Sequence, residues 1–399
     1  MSNNILYICG GRSFHSQNPG RKIEGVVTCW RDIGYEVEHV CGADILSENN
    51  SAGYGAQKHH GKWYRKLSLM KAITHSVSEY KDTKHDAKVY EYLKKLSVKN
   101  KPMLVWERSS RLHKAGLDLA KELEVPYVLE WKDHLVPYPV SLFRKKALKV
   151  ELLKNYESSY IVVESRILKD QLSEEGVDAS KIHVALNAIN PDEFIPDIEA
   201  RSKIRKQYDV AEGQVLIGYL GSYAFYHDAK RLVLAADILS KTSSNAFKIL
   251  MVGNGKEYED TRRLAMDLGL LNELVFMQDA VEKSQVPDIL SALDIAVLPG
   301  STDIICPIKV QEYMYMGLAS VVPDYGCNRE VIVPESDGML FEPHNELSLS
   351  NSLRFLIDNK EKMKLIGERA KAKAINEFTW EKTWGKVLRN IEDDMAGGS

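Results

Sequence analysis

The sequence has little of what marks secreted, fibrous or membrane-spanning proteins. Its five cysteines among 399 residues are an odd number without a Cys-x-x-Cys pair, which argues against a disulfide framework or a zinc knuckle. No run approaches the roughly 18 apolar residues that a transmembrane helix needs. The first residues hold no basic stretch followed by a long apolar segment, so no signal peptide is predicted. Together these absences predict a cytoplasmic protein.

Blocks of like charge are also missing. The chain has 53 Lys plus Arg and 56 Asp plus Glu, a net charge of −3, so a dedicated nucleic-acid-binding surface is not predicted. Apolar residues make up 44% of the chain, an ordinary proportion for a soluble globular protein. A chain of this length holds about two to three domains of roughly 150 residues each.

Short apolar runs alternate with helical patterns along the whole chain. The run at 5–9 ends in two glycines, a helical spacing follows at 22–34, and an alternating stretch at 35–40 completes a βαβ unit. This alternation predicts an α/β fold with two doubly wound, Rossmann-like domains, each built on a parallel sheet. The further predicted strands are 103–106, 127–129, 160–163, 215–220, 247–252, 274–277, 295–298 and 318–322.

A loop with two prolines at 191–196 separates the two series of strands. We predict a first domain over 1–193, a second over 194–376, and a C-terminal helix over 377–399 that crosses back to the first domain. Two such domains facing each other form a cleft. Ligands of parallel sheets bind beyond the carboxyl ends of the strands, so the residues that follow the strands are the candidates for function.

Two glycine-containing turns follow predicted strands of the second domain. Gly221 and Ser222 follow the strand at 215–220, and Gly253 and Asn254 follow the strand at 247–252. Small residues allow a phosphate to approach backbone N–H groups, although a plain tight turn would look the same. The second turn lacks the third glycine and the later acidic residue of the dinucleotide fingerprint, so a nicotinamide cofactor is not supported.

The segment 307–317 is the most informative one. Pro307 suits the first position of a helix, and Lys309 then lies in the first turn, where the helix dipole already favours an anion. Glu312 is three residues further on and shares a face with Lys309. Lys309 could meet a diphosphate, and Glu312 could accept hydrogen bonds from a ribose. The alternative is a surface salt bridge between the two side chains.

Taken in order, these motifs resemble those of the retaining, family 4 glycosyltransferases of the GT-B fold, the glycosyl transferases group 1. The resemblance covers about 184–384, while 106–108 and 126–130 of the first half match only in outline. The motifs are N-[AG]-[IV]-[ND]-x3-F at 187–194, G-S-[FY]-x2-[WY]-H at 221–227, V-G-x-G at 252–255, A-x-D-I-x-V-L-P at 292–299, P-x-K-x2-E-Y-M at 307–314 and F-[ST]-W at 378–380.

The resemblance implies an acceptor-binding first domain and a second domain that binds a nucleotide sugar, UDP- or GDP-linked. It implies transfer of a sugar to a glycan or lipid-linked acceptor in polysaccharide or glycolipid biosynthesis, with retention of anomeric configuration and without a metal or other cofactor. Because no carboxylate-rich metal loop is evident, cations and a helix N-terminus must neutralise the leaving diphosphate. The residues that match the family's donor site are Lys309 and His227 at the diphosphate, Glu312 at the ribose, and Gly221, Ser222, Gly253, Asn254 and Ile308 around them.

The sequence departs from the family pattern at three places. Ile304 stands where the family has a glutamate, and the neighbouring Asp303 is a candidate to replace it. Ser222 stands where an arginine is usual, and His227-Asp228 where a Lys-Gly pair is usual. The identity of the donor sugar therefore stays open.

Acceptor-side candidates come from the first domain. Gly11 and Arg12 follow the first strand, and the family's His-Asp after the strand at 127–131 corresponds here to Lys132-Asp133, with His134 following. Asp133 and His134 are the catalytic candidates on this side. Ordinary loop polarity would explain the same residues.

Two basic stretches interleaved with aromatic or apolar residues lie in the first domain, at 58–66 and on an amphipathic helix that carries Arg144, Lys145, Lys146, Lys149 and Lys154. They predict peripheral docking on an anionic membrane, with a solvated helix face as the alternative. Two other functions stay open for the whole chain: a GT-B-fold sugar-nucleotide epimerase and a non-catalytic glycosyltransferase-like scaffold.

Overall fold

The computed structural model describes residues 3–17, 19–47, 68–132, 141–243 and 246–397. The chain divides into two compact units, one formed by Met1–Ala185 with Trp384–Ser399 and the other by Leu186–Thr383. These divisions fall at 185/186 and 383/384, where the sequence predicts 193/194 and 376/377. The last segment of the chain belongs to the first unit.

The first unit is built on a parallel sheet of six strands in the order β2-β1-β3-β4-β5-β6. Its strands are β1 (Asn4–Cys9), β2 (Glu36–Cys41), β3 (Leu104–Arg108), β4 (Tyr127–Glu130), β5 (Tyr160–Val163) and β6 (Ile182–Val184). The helices are α1 (Arg21–Asp32), α2 (Gly42–Ser47), α3 (Ser68–Lys99), α4 (Ala115–Leu123), α5 (Arg144–Glu157) and α6 (Arg166–Glu174).

The second unit has a six-stranded parallel sheet in the order β12-β11-β10-β7-β8-β9. Its strands are β7 (Val215–Leu220), β8 (Phe247–Val252), β9 (Val275–Gln278), β10 (Ile295–Val297), β11 (Ala319–Pro323) and β12 (Met339–Phe341). Its helices are α7 (Ile198–Gln207), α8 (Ala229–Ser243), α9 (Tyr258–Asp267), α10 (Val286–Ala292), α11 (Ile308–Tyr315), α12 (Gly326–Arg329), α13 (Glu346–Asp358) and α14 (Lys360–Glu377).

The central strands of both sheets are buried on both faces. Every residue of β1 and of β7 is buried, as expected of parallel strands that are covered by helices on both sides. The final helix, α15 (Lys386–Gly397), follows Trp384, whose carbonyl accepts a hydrogen bond of 3.3 Å from the Trp30 indole. Trp106 lies between these two rings, 4.6 Å from Trp30 and 6.1 Å from Trp384. This aromatic stack attaches the end of the chain to the first unit.

The direction in which the strand order runs reverses once in each sheet. In the first unit the reversal lies between β1 and β3, and in the second between β7 and β10. Ligands of doubly wound sheets bind outside the carboxyl ends of the strands at such reversal points. In the second unit this brings together the loop after β7, which carries Gly221 and Ser222, and the loop after β10, which carries Asp303 and leads into α11. Among the described residues, no helix is both long and apolar enough to span a membrane.

Candidate active site

The glycine turns after β7 and β8 pack against each other backbone to backbone. Gly253 has φ of +147°, and a Cβ placed there would lie 1.8 Å from the carbonyl oxygen of Gly221. The two turns are further joined by a hydrogen bond of 2.8 Å, in which the Tyr223 N–H donates to the carbonyl of Asn254. Only glycine allows this approach. The packing of the two turns therefore requires glycine at position 253, in addition to the predicted approach of a phosphate.

Lys309 lies in the first turn of α11, as the sequence predicts. Pro307 is not the first helical residue, however. Its ψ of 141° is extended, and it caps the helix, which begins at Ile308. The missing N–H of proline costs nothing at this position, because the first N–H groups of a helix have no partner within the helix.

The ammonium group of Lys309 packs against the backbone of Gly221. A Cβ on Gly221 would lie 2.3 Å from Lys309 Nζ, and Nζ is 5.2 Å from the centre of the Tyr219 ring. A side chain at position 221 would therefore displace the ammonium. An anion at this point would meet a lysine charge and the N-terminus of α11 together.

Glu312 is buried one turn further along α11. It is only 4% exposed, and its neighbours Gln311 and Tyr313 are fully buried. A salt bridge on the protein surface, the alternative interpretation of the Lys309–Glu312 spacing, is thus wrong for Glu312. The carboxylate lies on the same helix face as Lys309, within the unit that carries the glycine turns.

His227 ends a short 3-10 helix over Phe225–His227 and is 9% exposed. Its Nδ1 is 3.4 Å from the carbonyl oxygen of Gly300, in the loop after β10. Burial, together with the positive charge of Lys309, lowers the pKa of His227 to about 4. The imidazole is therefore neutral at pH 7. When Nδ1 carries the proton, it donates a hydrogen bond to the carbonyl oxygen of Gly300, and Nε2 is then a hydrogen-bond acceptor. The expectation that His227 supplies a positive charge at the diphosphate needs correction, since at neutral pH it offers hydrogen bonding only.

We expect His227 to make the fold sensitive to acid. Its pKa is lower in the folded chain, at about 4, than in the unfolded chain, where the usual value is about 6.5. The contribution of neutral His227 to the free energy of unfolding is therefore complete above about pH 6.5 and is lost as the pH falls towards 4. A His227→Gln variant should lose less unfolding free energy than the parent between pH 6.5 and 4.5 in urea titrations. If the unfolding free energies of the two proteins fell equally with pH, the lowered pKa of His227 would be contradicted.

The departures from the family pattern all lie in the second unit. Asp303 and Ile304 belong to the loop between β10 and α11, where Asp303 is exposed and Ile304 half-buried. Burial raises the pKa of Tyr325, and the charge of Asp303 raises it further. Ser222 accepts a hydrogen bond of 2.7 Å from the Tyr219 hydroxyl through its carbonyl oxygen. Asp303 therefore offers an exposed carboxylate next to the position of the missing glutamate.

Asn187 has a role that sequence reasoning did not assign. Its side-chain amide donates a hydrogen bond of 3.0 Å to the carbonyl of Cys306, directly before Pro307, and the residue is 7% exposed. The junction motif at 187–194 thus holds the loop from which α11 begins. The resemblance of 187–194 to the family's junction motif was the available signal in the sequence.

The acceptor-side candidates are only partly described. The Arg12 guanidinium forms an ion pair with Asp82 of α3, with Nε 2.5 Å from Oδ1, and also bonds to Ser78. Gly11 lies close to Ser110, the residue that follows β3 by two positions, because a Cβ on Gly11 would be 3.2 Å from the Ser110 hydroxyl. Asp133, His134 and the basic stretch at 58–66 lie outside the described residues.

A buried charged cluster at the carboxyl ends of the first sheet was missed by the sequence analysis. Lys22 of α1 bonds to Glu130 at 2.8 Å and to Glu164 at 2.5 Å, and Arg108 lies 3.6 Å from Glu130. Although burial raises the pKa of Glu130, the charges of Lys22 and Arg108 lower it to about 2 overall. A charged residue at or just after three neighbouring strands, at 108, 130 and 164, was the signal in the sequence.

Two doubly wound units, each built on a six-stranded parallel sheet, define the GT-B architecture. Over most of its length the chain superimposes on Anabaena HepE, solved in complex with UDP-glucose: the TM-score is 0.69, the identity is 15%, and the match covers 98% of this chain and 99% of that one. This likeness confirms the GT-B fold class predicted from the sequence.

Residues 200–373 match the model of the family described as glycosyl transferases group 1. The match lies within the second unit, which is where the sequence motifs that resemble this family are found. Among curated proteins, an uncharacterized glycosyltransferase of Methanocaldococcus jannaschii is 21% identical over 61% of this chain and 60% of its own length. A GDP-mannose-dependent alpha-mannosyltransferase of Mycobacterium tuberculosis is 24% identical over 48% of this chain and 46% of its own length. The chain thus spans about half to three fifths of these relatives.

Proposed function

We propose that the chain is a retaining glycosyltransferase that moves a sugar from a nucleotide-sugar donor to a glycan or lipid-linked acceptor in polysaccharide or glycolipid biosynthesis. The observation that carries the proposal is the ammonium of Lys309, which lies against the Gly221 backbone at the N-terminus of α11. The family match over 200–373 supports it. Retention and independence from metal rest on the resemblance of the motifs.

The chemistry assigned to this unit is the departure of a nucleoside diphosphate. Negative charge grows on the diphosphate as the bond to the sugar breaks, and fixed positive groups stabilise that charge without reorganising. Lys309 and the first N–H groups of α11 take this role. His227 is neutral at pH 7 and contributes hydrogen bonds. Glu312 accepts hydrogen bonds from the ribose hydroxyls, which carry no changing charge.

Both UDP and GDP remain candidates for the nucleotide of the donor, since the similar proteins include one solved with UDP-glucose and one named for GDP-mannose. The test is to incubate the purified chain with a panel of UDP- and GDP-linked sugars in the presence of a chelator and to follow free sugar and nucleoside diphosphate. A transferase hydrolyses its donor slowly without an acceptor. Recovery of an isomeric nucleotide sugar would instead identify an epimerase, and no turnover of any donor would favour a scaffold. Activity that needs added Mg²⁺ or Mn²⁺ would overturn the metal-independent mechanism.

Glu312→Gln should weaken the binding of the donor and of the free nucleoside diphosphate by similar factors, about tenfold each. A hydrogen bond to a charged acceptor contributes about 1.5–3 kcal/mol, and the ribose contact is the same before and after the sugar leaves. Turnover at saturating donor should change less than affinity. Calorimetric titration with UDP and GDP measures the effect, and Glu361→Gln, which alters an exposed carboxylate of α14, is the matched control. Unchanged affinity in Glu312→Gln would remove the ribose assignment.

We also propose that α5 docks the first unit on an anionic membrane. Lys145, Lys146 and Lys149 are exposed on this helix, and the apolar residues Leu142, Leu148, Leu152 and Tyr156 in and beside it are between 36% and 89% exposed. Lysines beside exposed apolar side chains suit an interface with acidic headgroups. Lys154 does not belong to this surface, because it is 1% exposed and lies 3.8 Å from Glu107.

A variant with glutamate at positions 145, 146 and 149 should no longer co-sediment with phosphatidylserine-containing vesicles. Each basic residue near such a surface contributes about 1 kcal/mol, so reversing three charges removes several kcal/mol of attraction. The parent should bind at low salt and dissociate at high salt. Glutamate at Lys362, Lys364 and Arg369, which are exposed on α14, provides the control with an equal change of charge. Equal sedimentation of both triple variants and the parent would favour the solvated-face interpretation.

A further inference from the structure

Two cysteines and a histidine meet on one face of the first sheet. Strands β1 and β2 are parallel neighbours, in which Cys9 pairs with Cys41 and Tyr7 pairs with His39. Paired residues of neighbouring strands project to the same face, and residues two apart on one strand do so as well. The four side chains therefore form a two-by-two group at the carboxyl ends of these strands. Tyr7 is occupied, since its hydroxyl donates to Glu130 at 2.8 Å.

The other three side chains have the geometry of a metal site. One ligand atom each from Cys9, His39 and Cys41 lies within 4.8 Å of the other two, and Cys41 Sγ is 3.3 Å from His39 Nε2. Ligand atoms around a tetrahedral zinc ion, with Zn–S of about 2.3 Å and Zn–N of about 2.0 Å, are roughly 3.5–4 Å apart. Small rotamer adjustments would therefore bring all three atoms to one ion.

The surroundings favour a soft cation. Both cysteines are nearly inaccessible, at 0% and 2% exposure, whereas His39 lies half-buried on β2, which is the edge strand of the sheet. The two sulfurs are hydrogen-bonded to each other, and the Cys41 sulfur also lies next to the imidazole. The backbone beside the cluster is fixed, because a Cβ on Gly42 would lie 2.3 Å from the Gly10 carbonyl oxygen.

We propose that Cys9, His39 and Cys41 form a binding site for a thiophilic divalent cation, with Zn²⁺ as its best-suited occupant and the fourth position open to a solvent molecule. Thiolate and imidazole ligands select Zn²⁺ over Mg²⁺ and Ca²⁺, which prefer oxygen. The bound ion links the ends of β1 and β2 directly before the Gly10-Gly11 loop. None of the three residues belongs to the donor site, so the expectation of chelator-resistant transfer is unchanged.

The test uses the full chain, reduced and stripped of metal, and titrated with Zn²⁺ against a chromophoric chelator. We expect one Zn²⁺ per chain at micromolar affinity or better, and a melting temperature about 5 °C higher when the site is saturated. Cys9→Ser, Cys41→Ser and His39→Ala should each weaken binding at least tenfold. Cys29→Ser and Cys327→Ser, which alter buried cysteines outside the cluster, should bind Zn²⁺ like the parent.

A second measurement does not depend on how well the variants fold. Co²⁺ added to the parent protein should produce the intense near-ultraviolet absorption of thiolate-to-cobalt charge transfer, and one equivalent of Zn²⁺ should abolish it. The proposal is overturned if the parent binds no Zn²⁺, if the Co²⁺ complex lacks thiolate absorption, or if Cys9→Ser and Cys41→Ser bind like the parent. It is also overturned if the reduced, metal-stripped chain converts in air to a Cys9–Cys41 disulfide that Zn²⁺ does not prevent.

Discussion

Lys309→Ala is expected to lower turnover about a hundredfold while weakening donor binding much less. The ammonium opposes charge that grows on the leaving diphosphate, so its contribution is greater in the transition state than in the bound donor. Removing one preorganised group of this kind costs on the order of 3 kcal/mol. Steady-state and single-turnover kinetics with the donor identified from the panel would separate the two effects.

The control for Lys309→Ala is Lys364→Ala, which removes a lysine from the surface of α14, where its side chain is 74% exposed. An exposed ion pair contributes less than about 1 kcal/mol, so this variant should retain the activity of the parent. If Lys309→Ala transfers sugar as fast as Lys364→Ala, Lys309 is not a catalytic residue, and the family resemblance describes the fold alone.

Gly253→Ala is expected to destabilise the second unit by on the order of 3 kcal/mol or more and to abolish detectable donor binding. A methyl group there would lie 1.8 Å from the Gly221 carbonyl oxygen, and the φ of +147° is itself unfavourable for alanine. The backbone at Gly221 must move to relieve the overlap. Because Lys309 Nζ packs against that backbone, the cation would move with it. Urea unfolding and nucleotide titration measure the two consequences.

The Gly269→Ala variant is the control that measures the cost of a positive φ without a steric overlap of the added methyl group. Gly269 also has positive φ, at +68°, but no atom lies within 4 Å of a Cβ placed there. This variant should lose only about 1–2 kcal/mol and should bind nucleotide normally. Equal losses in the two variants would mean that the contact between the turns after β7 and β8 contributes nothing.

The sequence predicted the strands that are long or strongly apolar. Ten of the twelve described strands correspond to predicted runs, and the α/β fold follows from their alternation with helices. Strands β6 and β12, of three residues each, were not predicted. The division points differ from the prediction by several residues, since a unit is defined by packing rather than by the loop at 191–196.

The candidate site was predictable where a motif fixes local backbone. Lys309 in a helical first turn and the glycine turns at 221 and 253 are local features, and the structure has them as predicted. The charge state of His227 was not predictable, because it depends on burial beneath the loop at Gly300 and on the nearby charge of Lys309. Both neighbours lie more than 70 positions away in the sequence.

The sequence by itself determined the alternation of strands and helices, the glycine turns, and the helix whose first turn holds Lys309, because each depends on interactions between residues a few positions apart. Only the tertiary structure decided which distant residues meet. The five cysteines showed no metal-binding spacing, yet Cys9 and Cys41 are partners in the register of β1 and β2. Strand register is set by the packing of the whole sheet against its helices, so no local sequence pattern could have predicted that Cys9 and Cys41 are neighbours.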